Sequence, residues 1–264
     1  MKRILASTIL LVLIVSITSC RKKDQTSDLP QKKVYLSKII TSEESYTTFE
    51  YDEQGRMTKQ STYNFAGLYL SYLFYYNTQG QLSSCEQDYT DPSRPGYKFI
   101  YSYNADGTID KMSQTVESGE LLFSVSYLNT TSGMSLIMKD EAGANTSKIE
   151  YAFIPGTKNT KELKYYIFNN TDESWQMVLH HVLTYDTKTA PYTFYPTGFL
   201  SPIGFDELHT LTPRENNILS IKDEDIGSTS SFTYEYNEEG YPIKATYDKP
   251  GSDPETHTYE YINK

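Results

Sequence analysis

The sequence predicts an all-β chain, an antiparallel up-and-down meander of about fourteen strands curved into a barrel or half-barrel. One irregular, short-helix insertion interrupts it near residues 190–215. Three observations carry this prediction. A phrase of Tyr, then Asp or Asn, two free residues and Gly recurs as YDEQG (51–55), YYNTQG ending at Gly80, SYNADG ending at Gly107 and EYNEEG ending at Gly240. Aromatic residues precede each phrase at every second position, which is strand periodicity. The glycines Gly55, Gly80 and Gly107 are 25 and 27 residues apart, with Gly133 a further 26 and Gly156 a further 23 along. Two strands and two turns of ordinary length fill such an interval.

The chain opens Met-Lys-Arg, followed by an apolar run, ILASTILLVLIVSI, and Thr18-Ser19-Cys20. A cationic start, a run of about fourteen apolar residues and small residues before a Cys read as a secretory signal over 1–19, short for a membrane span. Ile17-Thr18-Ser19-Cys20 resembles the lipobox of bacterial lipoproteins, which implies lipidation of Cys20. Arg21 at the next position resembles lipoproteins sent on to the outer membrane. One acyl chain binds membranes only marginally, so a durable anchor implies multiple acylation. Residues 20–32 then read as the lipidated Cys and a solvated tether, and 33–264 as a single β-meander domain starting near Val34.

In that domain the alternating sets are Phe49 and Tyr51; Tyr72, Phe74 and Tyr76; Phe99, Tyr101 and Tyr103; and Phe232, Tyr234 and Tyr236. Glu50, Ser102, Thr233 and Glu235 fall between them, so one face is aromatic and the other tends to be polar. Asp or Asn opens each turn by bonding the backbone ahead of it, and Gly accepts positive φ at the fourth position. The returning strands carry Met57, Leu82, Ile109 and Ile243 just past the Gly. Alternate turns read as NFAG, DPSRPG, ESGE, DEAGAN and DKPGSDP. The phrases resemble the YD repeats of large secreted bacterial proteins. More closely, YDTKTAPY (185–192), ENNIL (215–219) and YEYNEEGYPIK (234–244) resemble a family of bacterial lipoproteins of unknown function with a porin-like fold. That resemblance implies the fold and the cell envelope, and no catalytic residue.

Residues 186–215 lose the alternation and hold Pro191, Pro196, Pro202 and Pro213 among Tyr192, Phe194, Tyr195, Phe199, Phe205 and Leu208. SPIGFDELHTL within it reads as a short helix. Such an aromatic insertion is expected to pack on the concave face, with Phe199, Phe205 and Leu208 buried, or to act as a lid over a cavity.

Without residues 1–19 the chain loses Lys2 and Arg3 and no acid, leaving 22 basic residues against 34 acidic ones, a charge of −12. Such a body repels nucleic acid. Cys85 is the only thiol beyond Cys20 and reads as an inert small strand residue. Adjacent His180 and His181 point to opposite faces and cannot share a metal. His209 and His257 have no partner at ligand spacing. Asp223-Glu224-Asp225 with Gly227 is a faint calcium-loop pattern that lacks its closing Glu. No metal and no cofactor is therefore expected. Trp175 and the tyrosine surplus suit either glycan stacking or a large curved sheet, and the strand period of the tyrosines favours the sheet.

The expectation is a lipid-anchored envelope protein at the outer membrane, on its periplasmic or cell-surface side. It would be a non-catalytic binding or scaffold module for glycan, peptide or an apolar ligand. The alternative is an envelope- or glycan-directed hydrolase using acids that no motif reveals.

Overall fold

Sixteen antiparallel strands, each paired with its neighbours in sequence, close into a barrel in the computed structural model, which describes residues 33–194 and 213–264. In chain order they are β1 (Val34–Ser42), β2 (Ser45–Tyr51), β3 (Met57–Asn64), β4 (Gly67–Tyr76), β5 (Leu82–Tyr89), β6 (Tyr97–Tyr103), β7 (Ile109–Val116) and β8 (Leu121–Thr130). The second half comprises β9 (Gly133–Asp140), β10 (Asn145–Phe153), β11 (Thr160–Asn169), β12 (Ser174–Thr189), β13 (Asn216–Asp223), β14 (Thr229–Tyr236), β15 (Pro242–Asp248) and β16 (Glu255–Asn263). β1 pairs with β16, from Val34 opposite Asn263 to Ile40 opposite Thr258, and this removes both sheet edges. The meander and its curvature are as the sequence predicts, with sixteen strands rather than about fourteen.

The repeated phrase builds one end of this barrel. In the first copy the Asp52 carbonyl accepts from the Gly55 N–H at 3.1 Å, and the Asp52 carboxylate accepts from the Arg56 N–H at 2.8 Å. Asn77 and Asn237 repeat the arrangement with Gly80 and Gly240. A bulge follows in each case: Glu50 faces Lys59 but Tyr51 faces Met57, and the same slip recurs at Tyr76–Leu82, Tyr103–Ile109 and Tyr236–Pro242. The extra residue resets the side-chain alternation. Interior positions on the return strands therefore fall three apart, as in Leu82 and Cys85 or Ile109 and Met112. By the same rule the buried residue after Gly240 is Pro242, while Ile243 faces out and is 38% exposed.

The tyrosine of the phrase has a second task. β3 and β4 stop pairing at Lys59–Leu73, and beyond that point the Met57 carbonyl accepts from the Tyr76 hydroxyl at 2.7 Å. The same stitch joins Tyr51 to Leu36, Tyr103 to Leu82, Tyr185 to Thr160, Tyr234 to Ile218 and Tyr261 to Pro242. In the worn repeat YLNTTSG, Asn129 replaces the tyrosine and its amide reaches the Ile109 carbonyl at 3.2 Å. Each stitch satisfies a carbonyl that the ladder has left behind.

Inside the barrel, Tyr72, Phe99, Leu36, Leu136 and Cys85 are fully buried. Aromatic strands (β2, β4, β6) alternate with strands of Met, Leu, Ile and Gln (β3, β5, β7), so large residues fit beside smaller ones. Outside, Lys98 meets Glu86 at 2.9 Å near the middle of β5, and Lys148 meets Glu150 at 2.6 Å near the middle of β10. Charged pairs at mid-strand interrupt the continuous apolar band that a lipid-facing barrel wall carries.

β12 leads into a 3₁₀ turn, Pro191–Phe194, that lies against β1. β1 is not a sheet neighbour of β12, so the chain here leaves the wall and crosses the barrel. Residues 195–212 lie outside the described residues, and with them Phe199, Phe205, Leu208, His209 and the helix read in SPIGFDELHTL. Residues 1–32, with Cys20, also lie outside.

Candidate functional site

The two ends of the insertion are fixed by a polar clamp. The Asp186 carboxylate accepts from the backbone N–H and side-chain amide of Asn217, both at 3.1 Å, and from the Tyr236 hydroxyl. Burial, first, and this hydrogen bond then push the Tyr236 hydroxyl well above its ordinary value. Asn159 is 4% exposed; its carbonyl oxygen accepts from the N–H groups of Glu215 and Asn216, and its amide donates to Asn216. Thr160 donates through N–H and hydroxyl to the Pro213 carbonyl, and the Ala190 N–H donates to Glu215. Tyr185, Asp186, Asn216 and Asn217 belong to the stretches YDTKTAPY and ENNIL. Their work here is structural: they return the chain to the wall where it left it.

A shallow concavity lies on the outer wall, across β9 to β11. It is open to solvent and has a volume of about 240 Å³, with Gly133, Ala152, Glu150, Glu162 and Lys164 in its lining. Register explains it: Gly133 sits opposite Ala152, and Ala152 opposite Glu162, so two near-bare positions lie side by side next to long side chains. Glycine is required at 133, because a Cβ there would overlap the backbone carbonyl oxygen of Tyr151. The turn before it, Thr131-Ser132, is shorter than the phrase read into this segment, so Gly133 begins a strand instead of closing a turn.

Both carboxylates of this cleft are ion-paired. Glu150 meets Lys148 at 2.6 Å and accepts from the Tyr166 hydroxyl at 3.0 Å. Glu162 meets Lys164 at 3.4 Å, with His180 Nε2 at 3.6 Å. Burial pushes each carboxyl up, but the hydrogen bonds and charges of Lys148, Tyr166 and Lys164 outweigh it, and both lie below the ordinary carboxylate value. Beside the cleft, the Lys148 ammonium stands 4.2 Å over the Tyr166 ring and 5.3 Å from the Trp175 ring. Trp175 packs edge-on against Phe168 at 4.8 Å. The arrangement places a stacked cation and aromatic faces beside two carboxylates whose lowered values favour the ionised form.

The other residues singled out by sequence fall elsewhere. His180 and His181 point to opposite faces as expected, toward Glu162 and Asp223. Asp223 caps the N–H groups of Asp225 and Ile226, and Gly227 has φ 71°, so the acidic run is a hydrogen-bonded turn. Cys85 is buried between Phe74 and Phe99 in register, and burial pushes its thiol far above the ordinary range. His257 faces inward opposite Ala245. Among the described residues no group of three or more His, Cys, Asp or Glu is placed to hold a metal. Glu150, Glu162 and Lys164 carry no local signal in the sequence; only the pairing of β9, β10 and β11 assembles them.

No family model matches the chain, and no curated protein matches it. Solved structures do. A porin-like protein from Bacteroides uniformis superposes with a TM-score of 0.54 at 15% identity, over 88% of this chain and 95% of that one. A porin-like protein from Bacteroides vulgatus gives 0.52 at 12% identity, over 87% of this chain and 99% of the other. At these identities the likeness is one of fold: the chain has the barrel of those porin-like proteins.

Proposed function

We propose that the protein is a non-catalytic binding or scaffold module of the cell envelope, anchored through lipid on Cys20 at the outer membrane. The observation that carries the non-catalytic part is the state of Glu150 and Glu162. A glycoside hydrolase needs one carboxyl held protonated as general acid beside an ionised partner. Here both acids of the cleft are paired with lysines and shifted down. The cleft is also smaller than the roughly 300–1,000 Å³ usual for small-molecule sites, which suits one sugar ring or one side chain of a larger ligand. A wall with charged pairs at mid-strand supports a barrel that sits on the membrane surface rather than across it. The envelope address rests on the leader, the Cys20 motif and the porin-like fold of the structural neighbours.

A screen over envelope and environmental polysaccharides tests this reading. Retention without release of reducing ends is the expected result. Turnover that disappears in Glu150→Gln or Glu162→Gln would establish the hydrolase instead.

A further inference from the structure

The hairpin of β11 and β12 outruns the strands beside it. β12 begins at Ser174, but β13 joins it only from His181, opposite Asp223. The backbone contact nearest that point is the Glu224 N–H to the His180 carbonyl, 2.9 Å. From Ser174 to Leu179 the strand has β11 on one side and, among the described residues, no strand on the other. In an antiparallel strand every second residue turns its N–H and C=O to the far side. An edge of about 20 Å thus presents unpaired backbone donors and acceptors.

Natural edges are guarded by Lys, Pro, inward charges or bulges. Ser174-Trp175-Gln176-Met177-Val178-Leu179 contains no charge and no proline. Its one safeguard is a bulge opposite Tyr165–Tyr166. Met177 and Val178 are each 42% exposed and Ile167 is 47% exposed, so the hairpin shows apolar side chains to solvent beyond the barrel wall.

Charge selects what this edge can accept. Asp172 and Glu173 stand at its tip, and Asp223, Glu224 and Asp225 at its base, where Lys222 pairs with Glu224 and His181 Nε2 lies 3.8 Å from Asp223. A second copy paired antiparallel would lay its acidic tip against the acidic base of the first, which is repulsive at both ends. An extended segment with an apolar centre and a basic residue at each end meets the opposite situation: its backbone completes the ladder and its ends face carboxylates.

We propose that the free edge of β12 binds an extended peptide by strand addition, the peptide carrying alternating apolar residues flanked by Lys or Arg. Backbone hydrogen bonds supply affinity and the acidic ends supply selectivity. This names a partner class for the binding-module reading and rests on it.

Trp175 is the single tryptophan of the chain and lies on this edge, so its emission reports occupancy. The probe is the peptide Lys-Lys-Val-Thr-Val-Thr-Val-Lys-Lys, titrated into the full chain. Saturable blue-shifting of Trp175 emission is expected, weakening as salt rises. The same peptide N-methylated at alternate backbone positions, and a version with Glu in place of Lys, should each bind at least about tenfold more weakly. Met177→Lys in the protein should cause a similar loss, since an edge lysine repels the basic ends and guards the strand. Equal binding of the N-methylated or Glu-flanked peptide would overturn strand addition, whatever the behaviour of the Met177 variant. Self-association through Trp175 without peptide binding would also overturn it. Retention on a polysaccharide with no peptide response would remove this edge as the site while leaving the binding-module reading in place.

Discussion

Phe99-Ile100-Tyr101-Ser102-Tyr103-Asn104 on β6 and Phe232-Thr233-Tyr234-Glu235-Tyr236-Asn237 on β14 spell nearly the same phrase, and both end in the same turn. Their surroundings differ. Phe99 is 0% exposed and Tyr101 7%, whereas Phe232, Tyr234 and Tyr236 are only half-buried. On β6, Phe99 lies between Cys85 and Gln114, and Tyr103 makes the stitch to Leu82. On β14, Tyr236 is drawn to Asp186, and the stitch to Ile218 passes to Tyr234, two residues earlier. The insertion between β12 and β13 is the cause. Its ends are held by the clamp, the clamp takes the Tyr236 hydroxyl, and Tyr234 makes the stitch instead. Identical local grammar thus gives a closely packed wall in one sector and a looser one in the other.

The largest test of that contrast compares the same truncation in both phrases. Phe99→Ala removes a fully buried ring and should destabilise the barrel by about 3–5 kcal/mol. Phe232→Ala removes a half-buried ring stacked on Tyr247 at 4.6 Å and should cost less than half as much. Urea unfolding of the two variants measures both. Equal losses would show that the two sectors are equally packed.

A smaller contrast lies in the turns. Gly55 and Gly227 both have positive φ, 79° and 71°. An added Cβ at 55 would collide with the Tyr35 ring, which is buried and leans on Tyr51 at 5.0 Å, while at 227 nothing lies within 4 Å. Gly227→Ala therefore meets only the left-handed backbone cost, about 1–2 kcal/mol. Gly55→Ala adds displacement of a core tyrosine and should lose at least about 1 kcal/mol more. If the two variants melt together, the Tyr35 contact is of no consequence.

These pairs also show what a reader of the sequence can see. The turns at Gly55, Gly80, Gly107 and Gly240 were legible because Asp or Asn, Gly and the aromatic alternation are local signals, each fixed within a few residues. The closing pair β1–β16 was not, because residues 34 and 263 meet only after the whole sheet has curved, and VYLSKII carries no copy of the phrase. Ile243 is the apolar residue that stands out after Gly240, but the inward place two residues past the Gly, held by Met57, Leu82 and Ile109 in the other copies, falls to Pro242. Gly133 falls in the glycine spacing of the repeat, yet the reason for it is a cross-strand carbonyl from Tyr151. The cleft stayed hidden for the same cause, since Glu150, Glu162 and Lys164 become neighbours only through register.

The smallest expected effect concerns two histidines in the looser part of the barrel. His181 faces inward opposite Leu163, and His257 opposite Ala245. Burial lowers both imidazoles below their ordinary value, against upward pulls from Asp223 and Asp225 on His181 and from Glu255 on His257. A lowered folded value means that the unfolded chain binds more protons between that value and about 6.5. Stability is therefore full above about pH 6.5 and declines as pH falls through this window. Unfolding free energies at pH 7.5, 6.0 and 5.0 should fall in that order, and His257→Gln should flatten the decline. The carboxylates of Glu150 and Glu162, also lowered, add their loss only at more acidic pH, below the ordinary carboxylate range, so the two contributions separate along the axis. A profile flat from pH 7.5 to 5.0 would mean that protonated His181 and His257 reach water from inside the wall, and that the β12–β16 side opens far more readily than the aromatic strands opposite.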